Sequence, residues 1–341
     1  MTIDPSKGDL DWDVDTDVAD FYGITKWEPP LVCNSGDAER EHNWFHKYTD
    51  IEHFANYHTA FVEGEEVVIT EKIHGKNCRM GLVMEADKSG ESQWTWMAGS
   101  HDVRRKQFAR KTRRMDAIEL FQEGYISAPE VALDQVVDKN GLLWKVIEIQ
   151  EDEDPKEGKE PRKLFIGVQV DKDGNEVQVE SEYWMFLTDN VRNALTWVRA
   201  SMGRLGEATQ SVILYGEIFG SGVQDMTYGF SNGHRSLRVF DIALNGEYLD
   251  YDQKVRVCQM FNLTMVPHLY KGPYSRKIVE DLTDGPTTAC DPKVAGKFKG
   301  REGCVIAPVK ERFSDVIGKR CILKSVSADY LGRKDAEDND N

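Results

Sequence analysis

Glu71-Lys72-Ile73-His74-Gly75-Lys76-Asn77 follows directly on Glu66-Val67-Val68-Ile69-Thr70, a run rich in β-branched residues that predicts a strand. A second apolar run, Cys78 to Met84, begins after only a brief interruption. The pattern is strand, tight loop, strand, with Lys72 near the end of the first. Gly75 permits a tight turn whose backbone amides approach a ligand closely. A lysine amine attacks the α-phosphate of a nucleotide only when deprotonated, which requires a desolvated site or nearby cations. Lys-x-x-Gly is a weak signal by itself, and a surface hairpin lysine is the other reading of those four residues.

On the N-terminal side, Tyr48-Thr49-Asp50-Ile51-Glu52-His53-Phe54 offers Thr49 or Asp50 as the cap of a short helix. Residues 1–40 alternate acids with small residues and contain Pro29-Pro30, which predicts an extended acidic arm. On the C-terminal side, residues 130–187 hold strand-like runs (Trp144 to Ile149, Leu164 to Val170, Tyr183 to Leu187) separated by charged turns, a β-rich insertion. Thr188 or Asp189 caps a predicted helix with Val191, Leu195, Val198 and Met202 on one face and Arg192 and Arg199 toward solvent. Val212 to Tyr215, Leu237 to Ile242, Cys304 to Ile306 and Cys321 to Leu323 read as further strands. Many strands, a few helices and few parallel crossover units predict an α+β fold with largely antiparallel sheets. The domain spans residues 41–330, and 331–341 form an acidic tail.

The 341 residues carry a formal charge of −16, which opposes indiscriminate binding to nucleic acid. The acid is concentrated in the arm, in Glu151-Asp152-Glu153-Asp154 and in the tail, whereas Arg104-Arg105-Lys106-Gln107-Phe108-Ala109-Arg110-Lys111-Thr112-Arg113-Arg114 contains none. That run is either a phosphate-binding surface or a solvated basic helix face. Six scattered cysteines, without a Cys-x-x-Cys pair, predict reduced and mostly buried thiols. With no apolar run of about 18 residues and no leader-like start, the chain reads as cytoplasmic.

Three later segments bring a family into view. Tyr215-Gly216-Glu217-Ile218-Phe219-Gly220 is followed by Arg238-Val239-Phe240-Asp241-Ile242; then come Arg301-Glu302-Gly303-Cys304-Val305-Ile306-Ala307-Pro308 and Lys319-Arg320-Cys321-Ile322-Leu323-Lys324. With residues 71–77 and the preceding His46 to Glu52, they resemble, in the right order, the motifs of the phage-type RNA ligase 2 family of covalent nucleotidyltransferases. His74 and Asn77 discriminate, since DNA ligases and capping guanylyltransferases usually have aspartate where this chain has His74. The chain departs from the family at Ala307, where lysine is common, at Ile322, where a second lysine is common, and after the second strand, where His101 or Arg104 replaces an arginine.

The resemblance implies a nucleotidyltransferase domain of antiparallel sheets flanked by helices, and an ATP-dependent RNA ligase with ATP as co-substrate and Mg2+ or Mn2+ as metal. Lys72 would carry AMP. Glu71, Ile73, His74, Gly75, Glu217, Phe240 and Lys324 would bind the nucleotide, with Phe240 stacked on adenine, although by periodicity Phe240 reads equally as a core aromatic. Glu302 would be the metal-side carboxylate, or else a simple turn acid. Asn77, His101, Arg104 and Arg105 would hold RNA ends, such as those of a nicked duplex, with no membrane involved. The short stretch after Lys324 implies help from the arm, the insertion or an accessory protein. A DNA ligase, a capping guanylyltransferase and a noncatalytic nucleic-acid-binding subunit remain as alternatives.

Overall fold

Strand alternation decides where each candidate side chain points. A computed structural model gives the fold of residues 37–86, 90–150, 162–203, 208–291, 293–295 and 298–333, within the unit Asn34–Asn341. The strands are β1 Glu52–His53, β2 Glu66–Lys72, β3 Lys76–Ala86, β4 Ser92–Gly99, β5 Arg104–Arg105, β6 Phe108–Arg110, β7 Thr112–Asp116, β8 Val136–Lys139, β9 Leu142–Gln150, β10 Leu164–Val170, β11 Gln178–Glu180, β12 Ser211–Gly220, β13 Arg235–Leu244, β14 Glu247–Tyr248, β15 His268–Pro273, β16 Gly303–Pro308, β17 Phe313–Ser314, β18 Lys319–Arg320 and β19 Leu323–Val326.

One sheet has the order β1-β19-β16-β2-β15, and another the order β14-β13-β12-β3-β4-β5. Their neighbours are antiparallel except β1 with β19. The expected α+β class with mainly antiparallel sheets is what forms. β2 and β3, nearly contiguous in sequence, belong to different sheets, so residues 73–75 cross from one to the other. Lys72 therefore ends a buried strand between two sheets, and the surface-hairpin reading falls.

In β2, Val67 and Ile69 face one way, packing with Cys304, Ile306, Leu323 and Val279 of the helix Arg276–Thr283. Val68 faces the other way, against Phe45, Tyr48, Ile213 and Tyr215, the apolar filling between the sheets. The period of two puts Thr70 and Lys72 on that inter-sheet side. The outer face of the six-stranded sheet buries Val191, Leu195 and Val198 of the helix Asp189–Met202 and Val257 of the helix Tyr251–Met260. The order of layers is helices, sheet, sheet, helices.

Thr188 caps the helix Asp189–Met202 as expected, its side chain accepting from the Val191 amide. Arg192 and Arg199, expected toward solvent, instead lie over the rings of Trp96 and Trp94 at 4.9 and 4.7 Å. Tyr183 to Leu187 is not a strand: Glu182–Met185 is a helical turn, because Tyr183 and Leu187, four apart, enter the same core. Thr49 and Asp50 cap no helix. The Thr49 amide donates to Tyr248 Oη, the chain stays extended into β1, and the helix starts at Phe54. The basic run 104–114 is not a helix either but parts of β5, β6 and β7, with Ala109 buried. The last predicted strand begins at Leu323 rather than Cys321.

The insertion forms a sheet of order β7-β10-β9-β8 with its own core of Met115, Trp144, Val146 and Phe165. It starts earlier than residue 130, since β7 belongs to it. Cys78, Cys258, Cys290, Cys304 and Cys321 are free thiols, all but Cys290 buried. The arm to residue 36 with Cys33, the acidic stretch 151–154 and the tail from 334 lie outside the described residues. Among the described residues no helix is long and apolar enough to cross a membrane.

A charged cluster ties β13 of the six-stranded sheet to the two-stranded β17–β18 sheet and to the helix Tyr251–Met260. Asp241 of β13 accepts from Lys254 Nζ at 2.6 Å and Tyr48 Oη at 2.5 Å, and Arg320 of β18 lies 2.9 Å from it. Burial alone would raise the Asp241 pKa, but the two cations outweigh it and hold the carboxyl below its usual range. Asp241→Ala leaves the buried Lys254 without its anion, while Arg320 keeps only Glu311 among the described residues, and is expected to cost about 3–5 kcal/mol in urea denaturation; a loss below about 1 kcal/mol would contradict this linkage.

Candidate active site

A cavity of about 720 Å³ opens between the sheets, and Glu71, Lys72, Ile73, Gly75, Asn77, His101, Glu217, Phe240 and Lys324 line it. Each arrives there for a local reason. Val305 pairs with Lys324 across β16 and β19, so Lys324 shares the cavity side with Val305, opposite to Leu323. Glu217 stands opposite Asn77 in the β12–β3 register, beyond Ile213 and Tyr215 of the same face. Lys72 is opposite Gly303, which brings the preceding Glu302 beside it: Lys72 Nζ donates to Glu302 Oε1 at 2.5 Å.

Gly75 is fixed by space rather than by backbone angle. A Cβ there would stand 2.3 Å from the Ile218 carbonyl oxygen and 2.9 Å from Glu217 Cγ. Only glycine lets the sheet crossing pass this close to β12.

Burial of Lys72 would by itself lower its pKa, but the Glu302 carboxylate outweighs this and raises it, so the amine rests protonated. Glu302 shows the converse: burial pushes up, Lys72 and His74 together pull down harder, and the carboxyl sits below its ordinary range. Glu302 Oε2 is buried without a hydrogen-bond partner among the described residues. Glu217 forms no ion pair among the described residues, and burial, opposed by the Lys72 charge, raises it to about 8. Asn77 Oδ1 is likewise buried and unpartnered.

The remaining predicted residues separate. Glu71, on the opposite parity from Lys72, accepts from Thr287 Oγ1 at 2.5 Å and from the Thr288 amide and hydroxyl at 2.6 Å, which anchors the loop before β16. Ile73 is buried with Phe219, Tyr228 and Tyr330. His74 and Glu302 stand behind Lys72 rather than on the cavity wall, with His74 Nε2 2.8 Å from Asp225 Oδ1. Phe240 meets Tyr48 edge to face at 4.8 Å while one side faces the cavity. His101 is held between the Tyr48 carbonyl and Asp102, each at 3.1 Å. Arg104 and Arg105 do not line the cavity; they form ion pairs with Glu39 and Glu85 and with Asp37. Ala307 and Ile322, the two departures from family lysines, do line it. Tyr48 and Lys254, which the sequence did not single out, also line it, because no local pattern marks residues that meet only across sheets.

Metal fit can be judged from the oxygens. Among the described residues no group of three or more His, Cys, Asp or Glu side chains is arranged to hold a metal ion. Two carboxylates, Glu302, whose buried Oε2 has no partner among the described residues, and Glu217, lie close enough to act on Lys72. That donor set suits a hard divalent cation that keeps most of its waters and shares substrate phosphates.

A family model described as RNA ligase matches residues 65–326, more than half of the chain. The chain belongs to the RNA ligase family. Similar solved structures include Naegleria gruberi RNA ligase as a mutant with ATP and Mn, at 17% identity over 95% of this chain and 68% of that chain, with a TM-score of 0.49. A second mutant with ATP and Mn has 17% identity, 93% and 67% coverage and a TM-score of 0.47. The same ligase with PPi has 17% identity, 94% and 67% coverage and a TM-score of 0.46. No curated protein matches the sequence.

The raised Glu217 pKa gives a signed prediction. Between its ordinary value of 4.5 and about 8, the folded protein holds a proton that the unfolded chain has lost, so stability falls as pH rises. Glu217→Gln removes this penalty. The Tm advantage of the variant is expected to grow across that window and level off above it; a difference that is flat with pH would contradict the assignment.

Proposed function

We propose that this RNA ligase is ATP-dependent, belongs to the phage-type RNA ligase 2 group, and uses Lys72 as its nucleophile in a nucleotidyltransferase domain. The observation that carries this reading is the amine of Lys72 at the end of a buried strand, 2.5 Å from Glu302, on a cavity that also presents Glu217, Phe240 and Lys324. The ATP- and Mn-bound relatives named above agree with the nucleotide and the metal.

ATP enters with adenine against Phe240 and its phosphates toward Lys324. The Lys72 amine attacks the α-phosphorus; a nitrogen–phosphorus bond forms, the bond to the bridging oxygen breaks, and pyrophosphate leaves. The amine must first lose its proton, and its pairing with Glu302 opposes that, so the productive complex has to draw Glu302 away from Lys72. A bound divalent cation, held by Glu302 and Glu217, would neutralise phosphate charge. A 5′-phosphate of RNA next attacks the adenylate, freeing Lys72 and forming a phosphoanhydride, and a 3′-hydroxyl then attacks the 5′-phosphorus with loss of AMP. The protein contributes alignment and charge rather than an acid–base pair. Asn77, whose carbonyl is unpartnered among the described residues, and His101 both line the cavity and would hold the RNA strand there. Arg104 and Arg105 would reach RNA only outside the cavity. A nicked duplex and an accessory protein are the partners this reading favours, in the cytoplasm.

Wild-type protein incubated with ATP radioactive at the α-phosphate is expected to retain label through denaturing electrophoresis, and Lys72→Ala to retain none. Labelled Lys72→Ala overturns the nucleophile. GTP labelling in place of ATP would point to a capping enzyme, and sealing of DNA but not RNA nicks to a DNA ligase.

A further inference from the structure

Residues just beyond β19 return to the back of Lys72. Ser327 donates its amide to the Glu302 carbonyl at 2.8 Å and its hydroxyl to Asp284 at 2.5 Å. Tyr330, 1% exposed, brings its hydroxyl to 3.1 Å from His74 Nδ1, and their rings meet at 5.4 Å. The Arg333 guanidinium lies 4.1 Å over the Tyr330 ring and pairs with Asp225 Oδ2 at 2.7 Å. Asp225 Oδ1 is the group that meets His74 Nε2 at 2.8 Å. The imidazole, 8% exposed, is thus held at both nitrogens by residues distant in sequence.

We propose that Tyr330, Asp225 and Arg333 form a clasp that fixes His74 as the Nε2–H tautomer, and that this keeps Glu302 Oε2 free to take a ligand. The proton assignment follows from the partners. The Asp225 carboxylate can only accept, so Nε2 carries the hydrogen; Nδ1 then presents a lone pair, to which the Tyr330 hydroxyl donates. Glu302 Oε2 lies 3.6 Å from the same Nδ1, too far for a hydrogen bond. A hydrogen on Nδ1 would be drawn to that buried oxygen and occupy it, whereas the clasp leaves it without a partner among the described residues. Phenylalanine at position 330 would pack equally well but could not supply the donor. Tyr330, Asp225 and Arg333 are therefore positioning residues, acting through His74 and Glu302. The inference rests on the reading of Glu302 as a ligand-binding carboxylate beside the nucleophile.

The test is Tyr330→Phe in the full chain, followed in two ways. In nitrogen-15-labelled protein, the long-range proton–nitrogen spectrum of the imidazoles, with His74 identified by its loss in His74→Asn, is expected to show wild-type His74 protonated at Nε2 and bare at Nδ1. Tyr330→Phe is expected to shift the Nδ1 signal. The same variant should slow lysyl–AMP formation at saturating ATP about tenfold, the scale typical of residues that orient a site from behind it. Half-saturation by ATP should stay within about twofold, the mark of an effect on the step rather than on binding. A wild-type His74 protonated at Nδ1, an unmoved spectrum, or an unchanged rate in Tyr330→Phe each overturns the clasp. Wild-type protein that forms no adduct at all would instead overturn the nucleophile assignment, while the spectrum still decides the tautomer.

Discussion

The pairing of β2 with β16 is the constraint on which the site depends. Its register sets Lys72 opposite Gly303, so Glu302 arrives at the amine without any flexible segment having to find it. Two charges that would each be costly to bury alone are buried together. Their mutual effect on titration holds the amine protonated and the carboxyl ionised. On the proposed reading of Lys72 as the nucleophile, the amine is thereby stored in its unreactive form, and activation would become part of substrate binding.

Parity then distributes the other roles. Glu71 and Lys72 are adjacent in sequence and on opposite parity, one bracing the loop at Thr287 and Thr288, the other carrying its amine to Glu302. Along β12, Tyr215 packs between the sheets and Glu217, two residues on, reaches the cavity. Gly75 allows the sheet crossing to press against Ile218, which keeps the wall of Glu217 close to Lys72. The site is a consequence of two sheets facing each other, with the apolar contact of Val68, Ile213 and Tyr215 at one end and polar ends of the same strands at the other.

Much of this was legible in the sequence because it is carried by local pattern. The strand into Lys72, the glycine after it and the capped helix from Thr188 all depend on neighbours in the chain. Glu217, Phe240 and Lys324 were picked out by resemblance to the family's motifs and not by local pattern, and all three line the cavity. What escaped depends on distance. Nothing around Tyr330 or Asp225 signals that they meet at His74, because they lie 256 and 151 residues from it in the chain. The basic run at 104–114 looked like one surface, yet Arg104 and Arg105 are paired with acids brought in from Asp37, Glu39 and Glu85. Tyr183 to Leu187 was misread as a strand since a five-residue apolar run does not declare its period, and only the shared core of Tyr183 and Leu187 shows the helical spacing.

The most direct test of the central claim is peptide mass spectrometry of the protein after incubation with ATP and magnesium. AMP joined to the side-chain nitrogen of Lys72, within the peptide that contains Ile73-His74-Gly75, is the result predicted. AMP on any other residue, with Lys72 unmodified, would contradict the account.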